Sequence, residues 1–237
     1  MFVNITNMNF KFSILIPCFN EKNTVFDVVT NICNCFPNEL VVVVDDGSTD
    51  GSYDQLLKVK SKNLKIIQLE KNMGKGFALR TGLEYLENKS EIVIFTDADT
   101  EILVEDLLKV SQMYENPNVE IVFGSRFLEI SNIKKFQMGI HRYLANLLLT
   151  IISNLAFRQK LTDMETAVKS FKTSLIKYLN LTANRFDIEP ELVKELANLE
   201  KKIHEVGISY NPRSRNEGKK ISFKDGISTL MYLLRNY

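Results

Sequence analysis

Charge of one sign, cysteine and long apolar runs are all scarce in this chain, and each shortage removes a class of protein. The 30 Lys and Arg nearly balance the 29 Asp and Glu, leaving a formal net charge of +1. That excludes a chain kept unfolded by its own charge and gives no sign of a nucleic-acid-binding surface. The cysteines, Cys18, Cys33 and Cys35, are odd in number and have neither a second ligand pair nor a histidine beside them. They suit a reduced, cytosolic setting better than a zinc site. No stretch reaches the roughly 18 to 20 apolar residues of a membrane span. The opening "MFVNITNMNFKF" lacks a basic segment followed by a long apolar one, so neither export by that route nor a bilayer span is expected. Two phosphate-binding signatures are missing as well: no G-x-G-x-x-G follows the first apolar run, and no G-x-x-x-x-G-K-[ST] occurs.

What is present is enough for one large domain: 237 residues, 45% hydrophobic. "FSILIP" and "ELVVVV" are short apolar runs, and Val25, Val28, Val29, Ile32, Cys33 and Phe36 recur between them at helical spacing. The alternation continues. Helical patterns over "GSYDQLLKVKSK", "GKGFALRTGLEYLEN" and "VEDLLKVSQMYEN" are interleaved with the strands "LKIIQL", "EIVIF" and "VEIVFGS". Continuous Val and Ile runs are those of parallel strands covered on both faces. The fold class is therefore α/β: an open, mostly parallel sheet flanked by helices, with ligand groups beyond the strand carboxyl ends.

Those ends carry the unusual residues: "PCFNE", "DDGSTDGS", "TDADTE" and "GSRF". Asp45 and Asp46 before Gly47 suit a polar turn and helix cap as readily as a ligand site. Asp97 and Asp99 are harder to read as turn chemistry. On an extended chain they turn to one side while Ala98 turns away, and a divalent cation would relieve their repulsion. All-oxygen ligands suit Mg²⁺ or Mn²⁺, held by one or two carboxylates plus substrate phosphates.

Together these pieces resemble the family 2 glycosyltransferases of GT-A fold, in the branch of polyprenyl-phosphate mannose and glucose synthases. The matching stretches are "SILIPCFNE", "VVVVDDGSTDGS", "NMGKGFALRTG", "FTDADTE", "VFGSRF", "LTDMETAVKSF", "RFDIEPELVKELA" and "EVGISYNPRSRNEGKKISFKDG". The resemblance implies a single GT-A, Rossmann-like domain over residues 1–237. Residues 10–127 form its nucleotide-sugar-binding half, and residues 128–237 its acceptor half. Pro17, Asn20, Glu21 and Asp46 would grip the nucleoside, with Lys75 near the nucleotide. Asp97 and Asp99 would hold Mg²⁺ or Mn²⁺ against the diphosphate, with Glu101 as a third ligand. Asp97 would thus serve both donor and metal.

The acceptor half has an amphipathic stretch, residues 141–157, with Arg142, Asn146, Thr150, Ser153 and Asn154 on one stripe. It suits either a core or oligomer-interface helix, or one lying in the membrane interface. A further helix is expected over "ISTLMYLLRNY". Arg126, Arg142, Arg213 and Lys219 are cations that could meet at an acceptor phosphate, whereas Arg215 and Lys220 belong to a solvated charge run. In "LTDMET", Asp163 and Glu165 are the general-base candidates if the acceptor is a hydroxyl; an ionised phosphate needs none. The expected activity is metal-dependent, inverting hexose transfer from a nucleotide sugar to a polyprenyl phosphate. Transfer to a sugar hydroxyl of a glycan is the alternative, and a non-catalytic nucleotide-sugar-binding protein stands behind both. The expected setting is cytoplasmic, with peripheral contact at the membrane face.

Overall fold

The computed structural model describes residues 10–128, 138–212 and 223–236. Its centre is β1 (Phe12–Cys18), in which Ile14, Leu15 and Ile16 are wholly buried. Consecutive apolar residues point to opposite faces of a strand, so a run of three buries itself only when both faces are covered. Around β1 lies a seven-stranded sheet in the order β3-β2-β1-β4-β6-β5-β7. The other strands are β2 (Leu40–Asp45), β3 (Leu64–Gln68), β4 (Ile92–Phe95), β5 (Ile121–Ser125), β6 (Lys169–Lys172) and β7 (Ile203–Gly207). All run parallel except β6, which is antiparallel to both β4 and β5.

One face is covered by α1 (Val25–Cys35), the short α2 (Ser52–Leu56) and α4 (Val104–Gln112). The other is covered by α3 (Lys75–Leu86), α5 (Ile140–Phe157), α6 (Ile188–Asn198) and α7 (Phe223–Arg235). The expected mostly parallel α/β sheet is therefore the observed one, with three differences. The helix expected over "GSYDQLLKVKSK" is only five residues long. The helix over "VEDLLKVSQMYEN" passes into a 3-10 turn at Met113–Glu115. Strands β6 and β7 and helix α6 had no place in the alternation, because their stretches are too charged to stand out as apolar runs. Cys18, Cys33 and Cys35 are free thiols.

Helix α5 reverses the usual amphipathic arrangement. Leu149, Thr150 and Ser153 are its buried residues. Ile140, Leu144, Leu147, Leu148, Ile151 and Leu155 are exposed, Leu155 to 65%. The polar stripe therefore turns inward: Thr150 Oγ1 accepts from the Met164 amide at 3.1 Å, and Asn154 exchanges two 2.8 Å bonds with the Leu161 backbone. Packed beside α5, α7 exposes Ile227, Met231 and Leu234.

Helix α3 lies so close to β1 that a Cβ on Gly82 would stand 2.2 Å from Leu15 Cδ1. Leu15 is at the buried centre of the sheet and has nowhere to move. Gly82→Val should accordingly cost about 1–3 kcal/mol by overpacking, seen as a Tm lower by roughly 3 °C per kcal/mol in thermal unfolding.

Candidate active site at the strand carboxyl ends

The first two loops are stitched to each other. Asn20, in the left-handed conformation that Asn tolerates, donates its amide to Ser48 Oγ at 2.9 Å and accepts from the Thr49 amide at 2.8 Å. Glu21 accepts from Thr24 Oγ1, which also donates to the Ala98 carbonyl at 3.0 Å and so ties α1 to the "DAD" loop. Pro17 is half-buried near the end of β1. Asp46 is 2% exposed, and its oxygens accept from the Met73 and Gly74 amides at 2.7 and 2.8 Å and from Asn72 at 2.9 Å. Burial raises its carboxyl above the usual range against those bonds. The observed duty of Asp46 is thus to hold the turn that presents Lys75. At Gly74, φ is +101° and a Cβ would lie 2.3 Å from the Asn184 carbonyl, so no other residue fits there.

Strand β4 ends at Phe95, and beyond it Asp97 lies in irregular chain and Asp99 in a bend, neither in a strand. The alternation argument does not apply there. Instead, Asp99 Oδ1 accepts from the Glu101 amide at 2.9 Å. Asp97 and Asp99 still border one cavity, of about 450 Å³, between α1 and α4. Among the described residues no three His, Cys, Asp or Glu side chains are gathered to hold a metal ion, so Glu101 is not brought into a three-carboxylate cluster. The all-oxygen pair of Asp97 and Asp99 nevertheless fits a hard divalent cation completed by phosphate oxygens.

Lys75 opens α3, and its Nζ lies 2.9 Å from Asp97 Oδ1 and 3.0 Å from Glu189 Oε1. Burial alone would lower the ammonium; the two carboxylates outweigh it and raise it. Glu189 also pairs with Lys169, which is wholly buried and donates to the Thr166 carbonyl. The sequence reading missed Glu189 and Lys169. A lysine inside the apolar "AVKSF" was the one available signal, since a buried lysine requires an anion.

On the other side, Arg126 follows β5 and binds Asp163 through Nε and Nη2, both at 2.7 Å, and through its amide at 3.0 Å. Its guanidinium lies over the rings of Phe127 and Tyr210. Glu205 of β7 fixes the loop by accepting from the Thr162 and Asp163 amides. Asp163 is therefore engaged on Arg126, whereas Glu165 Oε1 is buried without a hydrogen-bond partner among the described residues. Desolvation, then the charge of Glu189, pushes the Glu165 carboxyl up to about 7, against the pull of Lys169 and Arg126. Arg142 is half-buried in the first turn of α5; Arg213 and Lys219 lie outside the described residues.

A mostly parallel, mixed seven-stranded sheet flanked by helices, with an acidic pair after β4, is the arrangement of the GT-A class of glycosyltransferases. A family model described as "Glycosyl transferase family 2" matches residues 13–179, and the chain belongs to that family. It is 33% identical over 192 residues to the UDP-N-acetylglucosamine–dolichyl-phosphate N-acetylglucosaminyltransferase of Methanococcus voltae, covering 73% of this chain and 75% of the relative. It is 27% identical to the dolichyl-phosphate beta-glucosyltransferase ALG5D of Trichomonas vaginalis, over 82% of this chain and 60% of that one. The fold matches Mycobacterium tuberculosis glucosyl-3-phosphoglycerate synthase with a TM-score of 0.71 at 16% identity, covering 96% of this chain and 81% of that one. A complex of the same enzyme with Mn²⁺, UDP and glucosyl-3-phosphoglycerate matches at 0.65 and 15% identity, over 96% and 80%.

Glu165 holds its proton more tightly folded, at about 7, than at its ordinary 4.5. Between those values the folded state binds more protons, so this group's contribution to stability falls as pH rises from 4.5 to 7 and is level above. Glu165→Gln removes that slope. Its Tm, measured by calorimetry against wild type across this range, should gain progressively up to about pH 7 and then hold a constant offset.

Proposed function

We propose that the chain is an inverting transferase that moves a hexose from a nucleotide sugar to a polyprenyl phosphate with the help of Mg²⁺ or Mn²⁺. The observation that carries the acceptor reading is the inside-out helix α5: its polar stripe holds the 161–164 loop while its Leu and Ile stripe faces outward. An apolar face directly behind the acceptor loop suits a substrate whose tail lies in a lipid bilayer. The dolichyl-phosphate relatives support the same reading.

On the donor side the first two loops form the nucleoside wall, through Pro17, Asn20 and Glu21. Lys75, Asp97 and Asp99 face the diphosphate. A divalent cation held at Asp97 and Asp99 would neutralise the charge that develops on the leaving diphosphate. On the acceptor side Arg126, held by Asp163, and Arg142, Arg213 and Lys219 supply positive charge for the incoming phosphate. An ionised phosphate attacks the anomeric carbon without loss of a proton, so the displacement inverts configuration and asks for no general base. A sugar-hydroxyl acceptor would instead call on Glu165, whose unpartnered oxygen and raised carboxyl suit a base.

The assay offers UDP- and GDP-sugars, Mn²⁺ and a polyprenyl phosphate to the protein. Transfer should be lost in excess chelator and in Asp99→Ala. Arg142→Ala should lower kcat/KM for the lipid phosphate about tenfold to a hundredfold with donor binding little changed. Glu165→Gln should leave the pH profile nearly in place; loss of an acid limb near pH 7 in that variant would transfer the reading to a hydroxyl acceptor.

The exposed stripe of α5, with that of α7, is proposed as a peripheral membrane contact. The protein should sediment with anionic liposomes, and Leu148→Glu should reduce the bound fraction. Unchanged sedimentation, with a change of oligomeric state in the variant, would assign the stripe to a second copy of the chain.

A further inference from the structure

Four buried or half-buried side chains of alternating sign stand in series across the site: Asp97, Lys75, Glu189 and Lys169. The two ends belong to different halves of the chain. Asp97 is at the carboxyl end of β4 with a third of its side chain exposed, and Lys169 begins β6 and is wholly buried. Glu189, in the first turn of α6, is the link, giving one oxygen to each lysine. The same helix clamps the neighbouring backbone a second time. Glu191 accepts from the Thr182 and Ala183 amides at 3.0 and 2.9 Å. That loop's Asn184 carbonyl then accepts from the Phe77 amide of α3 at 3.1 Å.

We infer that Glu189 is a positioning residue for donor binding: it retains the Lys75 ammonium at the diphosphate site when Asp97 turns from the lysine to the cation. This rests on the donor reading of Asp97 and Lys75 given above. A lysine carries four flexible methylenes and one point charge. Shared between two carboxylates, the Lys75 ammonium leaves Asp97 able to exchange its partner for a cation and a diphosphate while Glu189 retains the lysine in place. Deprived of Glu189, Lys75 would keep Asp97 alone of its two carboxylate partners among the described residues and would compete with the cation for it. Lys169 offsets the charge of Glu189, so the link adds no net negative charge next to the diphosphate.

Titration of UDP and of GDP in the presence of Mn²⁺ into wild type and variants, followed by calorimetry, tests this. Glu189→Gln is expected to weaken the nucleotide that wild type binds by about tenfold. In a Lys75→Met background the same substitution should change the Kd by less than about twofold, because the interaction it removes is already gone. Glu189→Asp keeps a charge beside Lys169 but withdraws the carboxylate by one methylene. It should retain the wild-type Tm and still weaken binding. An unchanged Kd in a folded Glu189→Gln protein, or additive effects with Lys75→Met, would overturn the inference and leave the transferase reading intact. Should Glu189→Gln not fold, the Kd of Glu189→Asp decides: weakened supports the inference, unchanged overturns it. Wild type that binds neither nucleotide overturns the donor reading, and the inference with it.

Discussion

A charge taken out of water must be paired, and in this protein that constraint organises the carboxyl end of the sheet. Lys169 is wholly buried, and its ammonium is tolerable only because Glu189 and the Thr166 carbonyl meet it. Glu189 in turn faces Lys75, and Lys75 faces Asp97. The reversed strand β6 makes the series geometrically available. Inserted antiparallel between β4 and β5, it begins where its neighbours end, which carries Lys169 and the preceding 162–166 loop to the carboxyl ends of the parallel strands, beside Asp97 and Lys75.

The second buried pair divides the labour of the "TDMET" segment. Asp163 gives both oxygens to Arg126, and removing either partner of such a pair leaves an uncompensated buried charge, a loss of about 3–5 kcal/mol. Two residues on, Glu165 has an oxygen with no partner among the described residues and a proton held to about pH 7. Neighbouring carboxylates thus end in different settings: Asp163 is fixed on a guanidinium, and Glu165 is poised to titrate.

Behind that segment, α5 spends Thr150 and Asn154 on loop backbone and turns its Leu and Ile residues outward. Its periodicity was legible in the sequence, because spacing alone marks a two-faced helix. Which face looks inward was not, because hydrophobicity by itself predicts the opposite orientation. The polar backbone of the 161–164 loop reversed it, since buried amides and carbonyls need partners. The same holds for Asp46, recognisable as special beside Gly47, but given its duty by the amides of Met73 and Gly74, which arrive from far along the chain.

The sequence by itself determined the parallel β1 to β4 scaffold and the acidic and basic residues at its edge, because apolar runs and their abrupt ends are local properties. It also determined the family, through "DDGSTDGS" and "DAD". Only the tertiary structure decided the partners: that Lys75 bridges Asp97 to Glu189, that Asp163 belongs to Arg126, and that β6 runs backwards. Those contacts join residues 22 to 114 positions apart, and pairing at that distance depends on sheet order and burial, which no local pattern encodes.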